Sequence, residues 1–313
     1  MPAVRDRLAP EYYEPVRLPP ELSAFSAVPE TLGPGSPAKV GVLDLGFALR
    51  GDRTELVERY QKAPLEIMRP LYVDPALPGT ACVYVMATGG GVAQADRYRQ
   101  DFRCGPETQV LVTTQAATKV YRMEQDYATQ RVHLTAAEGA YVEYLPDPLI
   151  PFTGARFHQG AVLTVDENAT VVYAETVTAG RIARGERHAY TVLTSDLEIR
   201  RPDGTPLAVD TLRLRPQARG GVTGPGVFAG HDHVASLFVV SGRRPAAEIA
   251  DTLHRALTGR EVLHGASVLP EDCGAWVRIL GQEQPRVADA VRTAWDAVRR
   301  LLTGHPAPDL RKP

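Results

Sequence analysis

Four carboxylates stand where they could move protons or hold a cation. Glu143 and Asp147 lie in "YVEYLPDPLIPF", around a bend set by Pro146 and Pro148; Glu175 and Glu186 lie in "AETVTAGRIARGERHAY", beside Arg181, Arg184, Arg187 and His188. A carboxylate pair at a suitable separation performs acid and base work on a glycoside. With so many guanidinium groups nearby, internal ion pairs and hydrogen-bonded corners are the commoner use of such residues, and Glu175 with Arg181 is one candidate structural pair. In "GHDHV", His231 and His233 flank Asp232. On a strand both imidazoles would project from one face and could share a transition metal; the competing reading is a polar turn before the apolar run "ASLFVV".

Other chemistries find less support. The glycine-rich "TGGGVAQADR" has no Gly-Lys-Ser/Thr ending and no clear helix after it, so it reads as a turn between strands rather than a phosphate cradle. Cys82, Cys104 and Cys273 are odd in number, far apart and in no CxxC spacing, which argues against a disulfide framework and a thiolate zinc site. The chain contains no GxSxG elbow and no HExxH run.

The elements that must carry these residues are mostly strands. Up to Ala38, prolines such as Pro10, Pro15, Pro19, Pro20 and Pro34 predict an arm draped on the body or left mobile, not a domain. From Lys39 to about Arg244, short apolar runs such as "VGVLDLGFAL", "ACVYVMAT", "QVLVTT" and "ATVVYAETV" alternate with Gly and Pro. This is the pattern of a mainly β body, for which sandwich, barrel and irregular solenoid remain open; no fixed-period repeat stands out. Pro202-Asp203-Gly204 between two alternating arms predicts a hairpin. Helices are expected over about 245–257 and 286–303; the second has one apolar stripe, with Trp295 open between core and interface, and stops at Gly304.

Within 313 residues, a net charge of -2 and a pI near 6.5 leave no global basic field for nucleic acid. No apolar run approaches the roughly 20 residues that span a bilayer, and "MPAVRDRLAPEYYEP" has no apolar secretory core. A cytoplasmic location follows as the expectation.

The stretch "TTQAATKVYRMEQDYATQ" is composed unlike its neighbours. Thr113, Thr114 and Thr118 favour strands, while Gln115, Ala116 and Ala117 relax the pattern between them, so two strand pieces separated by a bend are expected. Lys119, one of four lysines, precedes Val120 and Tyr121. "TTQAATKVYR", the later "ATQ", "YVEYLPDPLIPFTGARFHQ" and "AGRIARGE" together, in this order and spacing, resemble the urease accessory protein UreD family, called UreH in some bacteria. The resemblance runs from about Lys39 to near Leu302, and its motif core falls on Thr113, Thr114, Lys119, Tyr121, Pro146, Asp147, Pro148, Gly180, Arg181, Gly185 and Glu186. "APLEIMRPLYVDP" is similar to a further family segment. One departure is Ala95, which precedes Asp96 where that family usually has glycine; the arm before Ala38 is an extension outside the common core.

The resemblance implies an irregular right-handed β-solenoid body with a few helices, chiefly C-terminal. It implies a non-enzymatic chaperone that binds UreF, through it the GTPase UreG, and the urease apoprotein, so that nickel reaches the urease active site. No tightly bound cofactor is implied, only nickel in transit along an internal polar passage. A transfer route must hold Ni²⁺ weakly, which suits scattered carboxylates better than a thiolate cage. Glu143, Asp147, Glu175 and Glu186 are therefore the expected lining residues, with His188 beside them. The alternatives are a β-rich glycoside hydrolase using Glu143 and Asp147, and a standalone nickel-binding module using His231 and His233.

Overall fold

The computed structural model describes residues 6–27, 32–36 and 38–310; the remaining parts of the arm and of the C-terminal "RKP" lie outside the described residues. Two sheets face each other. The first holds seven strands in the order β14-β13-β11-β8-β5-β1-β2: β1 (Val40–Arg50), β2 (Arg53–Lys62), β5 (Arg97–Cys104), β8 (Ala128–Ala136), β11 (Arg156–Val165), β13 (Val192–Arg200) and β14 (Pro206–Leu214). The second runs β16-β17-β15-β12-β9-β6-β4-β3, formed by β3 (Leu65–Glu66), β4 (Ala81–Ala87), β6 (Gln109–Thr114), β9 (Tyr141–Leu145), β12 (Thr170–Thr178), β15 (His233–Ser241), β16 (Leu263–Val268) and β17 (Gly274–Gly281). Two short strands, β7 (Thr118–Val120) and β10 (Leu149–Pro151), join it through β12.

From β4 to β13 the chain mostly alternates between the sheets, and like strands pair in parallel, which makes a β-solenoid-like body of about 4 turns. Tight turns stack to set the rise. The amide of Gly105 donates to Phe47, that of Ala137 to Cys104 and that of Asp166 to Ala136, each reaching the carbonyl of the preceding rung. Across these turns Tyr141 N–H donates to Thr108 and Thr170 N–H to Ala140, so backbone groups are satisfied from rung to rung. The turns begin 32 and 29 residues apart, a loose repeat that the composition of the turns hides. The expected hairpin is present as β13 and β14, paired antiparallel.

The strands are patterned by what covers them. In β5, Tyr98, Phe102 and Cys104 enter the core between the sheets while Arg97, Arg99 and Arg103 take the opposite face, the alternation of a strand with one apolar side. In β12, Val171, Tyr173 and Val177 enter that same core, whereas Val172 and Ala174 enter a second core beneath the helices. Both of its faces are therefore apolar. The helices are α3 (Ala246–Leu257) and α4 (Gln284–Thr303), whose Ile249, Leu253, Val287, Ala294 and Val298 fill that second core. The layers are thus sheet, sheet, helices.

The arm is packed on the seven-stranded sheet's outer face and carries two one-turn helices, α1 (Pro10–Tyr13) and α2 (Pro20–Ser23). Leu22 is fully buried beside Tyr127 and Val192, and Tyr13 packs on Val40 and Val42. Arg97 donates to Glu14 at 3.0 Å, and Tyr12 donates to Asp101 at 2.7 Å.

Candidate functional site

Between the sheets, otherwise apolar strands interpose polar residues at the inward phase. Gln130 of β8 lies opposite Gln159 of β11, which lies opposite Ser195 of β13. From the facing sheet, Glu175 of β12 lies opposite Ser236 of β15, itself opposite Arg278 of β17. The rows meet at Glu175, whose Oε2 accepts from Gln159 Nε2 and from Ser195 Oγ, both at 3.0 Å. At the far edge Arg278 crosses back to Asp210 of β14 at 2.6 Å. At the near edge Tyr98, Gln100, Gln130, Thr114 and the Lys119 rim enclose a cavity of about 170 Å³ that opens outward. The Oε1 acceptor of buried Gln100 has no hydrogen-bond partner among the described residues. A polar belt therefore crosses the core from side to side, over about four strand spacings or roughly 19 Å.

Glu175 is the belt's only carboxylate with no ion-pair partner among the described residues. Burial pushes its carboxyl above the usual range, while the Ser195 and Gln159 hydrogen bonds pull the other way. Acceptor oxygens of amides, hydroxyls and a single carboxylate can exchange with a divalent cation's hydration shell without trapping it. A closed ligand set is a different thing: among the described residues, no three His, Cys, Asp or Glu side chains converge as metal ligands.

Of the other expected lining residues, Asp147 meets the belt only at its near edge, and Glu143, Glu186 and His188 lie away from it. Glu143 is on the opposite face of the ten-stranded sheet, in the helix-covered core, where Arg299 of α4 pairs with both it and Asp74. Trp295 Nε1 and Tyr141 Oη donate to Glu143 Oε1 at 2.6 and 2.9 Å, which makes Trp295 a core residue. Burial pushes the Glu143 carboxyl up against the pull of Arg299. Asp147 instead exchanges hydrogen bonds with Thr114 at the near edge of the body, the hydroxyl donating at 2.9 Å and the Asp147 amide at 2.8 Å. Glu143 and Asp147 thus face different surroundings, one in the helix-covered core and one at the edge of the body.

Glu186 closes a loop. Its carboxylate takes Arg181 Nε at 2.8 Å, and the guanidinium lies 3.8 Å over the Phe152 ring. Arg181 therefore pairs with Glu186, not with Glu175. Gly180, at φ +125°, is required there, since a Cβ would meet the Glu186 and Pro151 carbonyl oxygens at 2.7 and 3.0 Å. Gly185 ends the short helical turn at φ +76°. Phe152 packs edge-on against Tyr121 at 5.3 Å, and Tyr121 presses on Gly91, where a Cβ would meet the ring at 2.8 Å. The Gly91 loop is held by Val92 N–H donating to the Lys119 carbonyl at 2.7 Å. Thr118 N–H donates to Pro148, and Thr113 Oγ1 to Leu145, neighbours of Pro146. The motif residues so form one corner, at which the two strand pieces 109–114 and 118–120 are separated by the expected bend.

His188 lies apart, buried against Phe228 at 4.8 Å between centroids and 3.9 Å from Asp232, which Arg187 also pairs. Burial lowers its pKa. His231 precedes the strand and its Nδ1 meets the Phe228 carbonyl, whereas β15 begins at His233. The two imidazoles therefore do not share a strand face.

Residues 39–313 match the family described as UreD urease accessory protein. A relative from Streptomyces griseus subsp. griseus, named Urease accessory protein UreD 2, is 69% identical over 293 residues, covering 93% of this chain and all of its own. One from Brucella suis biovar 1, with the same name, is 34% identical over 292 residues, 92% of this chain and 96% of its own. Urease accessory protein UreD of Cenarchaeum symbiosum is 33% identical over 282 residues, 90% of this chain and 99% of its own.

The chain belongs to the UreD family.

Membership supports a role in urease maturation, and the names of the relatives accord with an accessory, non-catalytic part in it. Among the described residues, no helix is long and apolar enough to cross a membrane. In this UreD-family body, residue-type reasoning finds Glu175 but misses Gln100, Gln130, Gln159, Ser195 and Ser236. The signal was available: in "RYRQDFRC", "ATQRVHLTA", "RFHQGAVLTV", "VLTSDLEIR" and "HVASLFVVS" each of these polar residues occupies the phase of the core-facing side chains.

Proposed function

We propose that this chain is a non-enzymatic urease maturation chaperone through whose interior nickel passes toward the urease apoprotein. It acts in the cytoplasm as a scaffold that binds UreF, reaches UreG through UreF, and contacts urease directly. The observation that carries this reading is the polar belt centred on Glu175. A buried carboxylate without a cationic partner is costly in an apolar sandwich, and a hydrated cation in transit is a partner that offsets the cost. The belt's amides and hydroxyls hold such an ion through its water shell, and the one carboxylate outside an ion pair biases the route toward cations.

The test is urease maturation in a heterologous host carrying the cognate urease operon. Removing this gene should abolish urease activity and nickel content, and restoring it should recover both. With Glu175→Gln, nickel content should fall several-fold, while capture of the accessory partners and of urease is retained. Normal nickel loading by that variant would overturn the passage, and full activity without the gene would overturn the maturation role.

A further inference from the structure

The outer face of the seven-stranded sheet holds a groove unrelated to the interior belt. The arm arches over it from Pro15 to Pro20, leaving a cavity of about 630 Å³ between the arch and strands β8, β11, β13 and β14. A second hollow of about 380 Å³ continues it toward β5, sharing His133, Val162 and Arg200. The groove therefore runs across the strands from β14 to β5, about 19 Å at one strand spacing per step, the length of roughly six extended residues. Gly160 and Val162 keep its floor low.

Its walls are basic in a chain whose net charge is -2. Six arginines line the two hollows against three carboxylates, Asp101, Asp196 and Glu198. Arg213 is paired with Asp196, Arg99 with Asp101, and Arg103 with Asp44 and Glu58. The other three are not neutralised in this way. Arg17 meets no carboxylate among the described residues. Arg131 donates to the main-chain carbonyls of Tyr12 and Glu14. Arg200 meets the Thr164 hydroxyl and, as its one carboxylate among the described residues, Glu198, each at 3.4 Å; with both charged side chains more than a third exposed, that ion pair is worth little.

We propose that this groove binds an extended acidic segment of a partner protein, laid across the sheet beneath the arm and held by Arg17, Arg131 and Arg200. The length rules against a single small anion as the fitting occupant, and guanidinium groups without a strong ion pair of their own match carboxylates along an extended chain. The floor offers the shape, and the arginines the charge.

The experiment measures fluorescence anisotropy of a labelled oligoglutamate of about eight residues, long enough to fill the groove, titrated with the full chain. Binding should weaken as salt rises, and an oligolysine of the same length should not bind. Arg17→Glu with Arg200→Glu should weaken binding at least about 10-fold. Gly160→Phe, which fills the floor without changing charge, should do likewise. Circular dichroism confirms the fold of each variant, and Arg17→Ala alone, an exposed change on the arm, still decides the matter if the others do not fold. The proposal is overturned if the folded chain ignores oligoglutamate, if all these variants bind it as the parent does, or if oligothymidylate takes the groove in preference to oligoglutamate.

Discussion

At the scale of single residues, burial separates two glutamates that look alike in sequence. Glu143 is fixed by Arg299, Trp295 and Tyr141, so removing the guanidinium strands Glu143 and Asp74 together. Arg299→Met should cost about 3–5 kcal/mol in chemical denaturation, the range for breaking a buried pair from one side. Glu175 has no ion-pair partner among the described residues. Its folded pKa is raised, so the stability linked to its proton is present below the unfolded value and is lost as pH rises through the folded one. Glu175→Gln should therefore be at least as stable as the parent at pH 8, with the difference shrinking under acid; a marked loss at pH 8 would refute this. The partners of Glu143 were illegible in sequence because Arg299 is 156 residues away.

At the scale of elements, the outer face of the seven-stranded sheet carries a titration of its own. Burial lowers both His133 of β8 and His158 of β11 to about 4. Each is depressed below its unfolded value, so its contribution is whole above about 6.5 and is lost as pH falls toward the folded value. Thermal melts should show stability declining from pH 7 to pH 5, and His133→Gln should flatten part of that slope. A second element-scale expectation concerns the turn before β5. Ala95 is fully buried at φ +67°, a region unfavourable for a residue with a Cβ. Ala95→Gly should raise stability by up to about 1 kcal/mol, measured by the same denaturation. Strands and terminal helices were legible because their apolar periods are local. The helices at 246–257 and 284–303 begin within two residues of expectation. The rungs were not, because turns 32 and 29 residues apart use unrelated sequences such as "GPET" and "AEG" and are related only by hydrogen bonds between rungs.

At the scale of the whole molecule, the arm and the body act as one packed unit. Leu22 is an anchor at zero exposure, and Leu22→Ala should cost about 2–3 kcal/mol or free the arm, which limited proteolysis near α2 would reveal. Unchanged stability and unchanged protease resistance would contradict that role. Mainly-β character was readable from composition and alternation, but how the strands stack required knowing which residues meet. For the same reason Glu175, and with it the inward phase of Gln159 and Ser195, could be read strand by strand, while the meeting of the three from different strands could not.

The stacked turns have a geometric consequence. Because the belt runs across the strands and each rung adds one strand to either wall, the body works as a ruler graduated in steps of about 4.8 Å. Inserting one rung of about thirty residues between the turns at Ala137 and Asp166 would lengthen the distance between the belt's two ends by one graduation while leaving both ends chemically as they are.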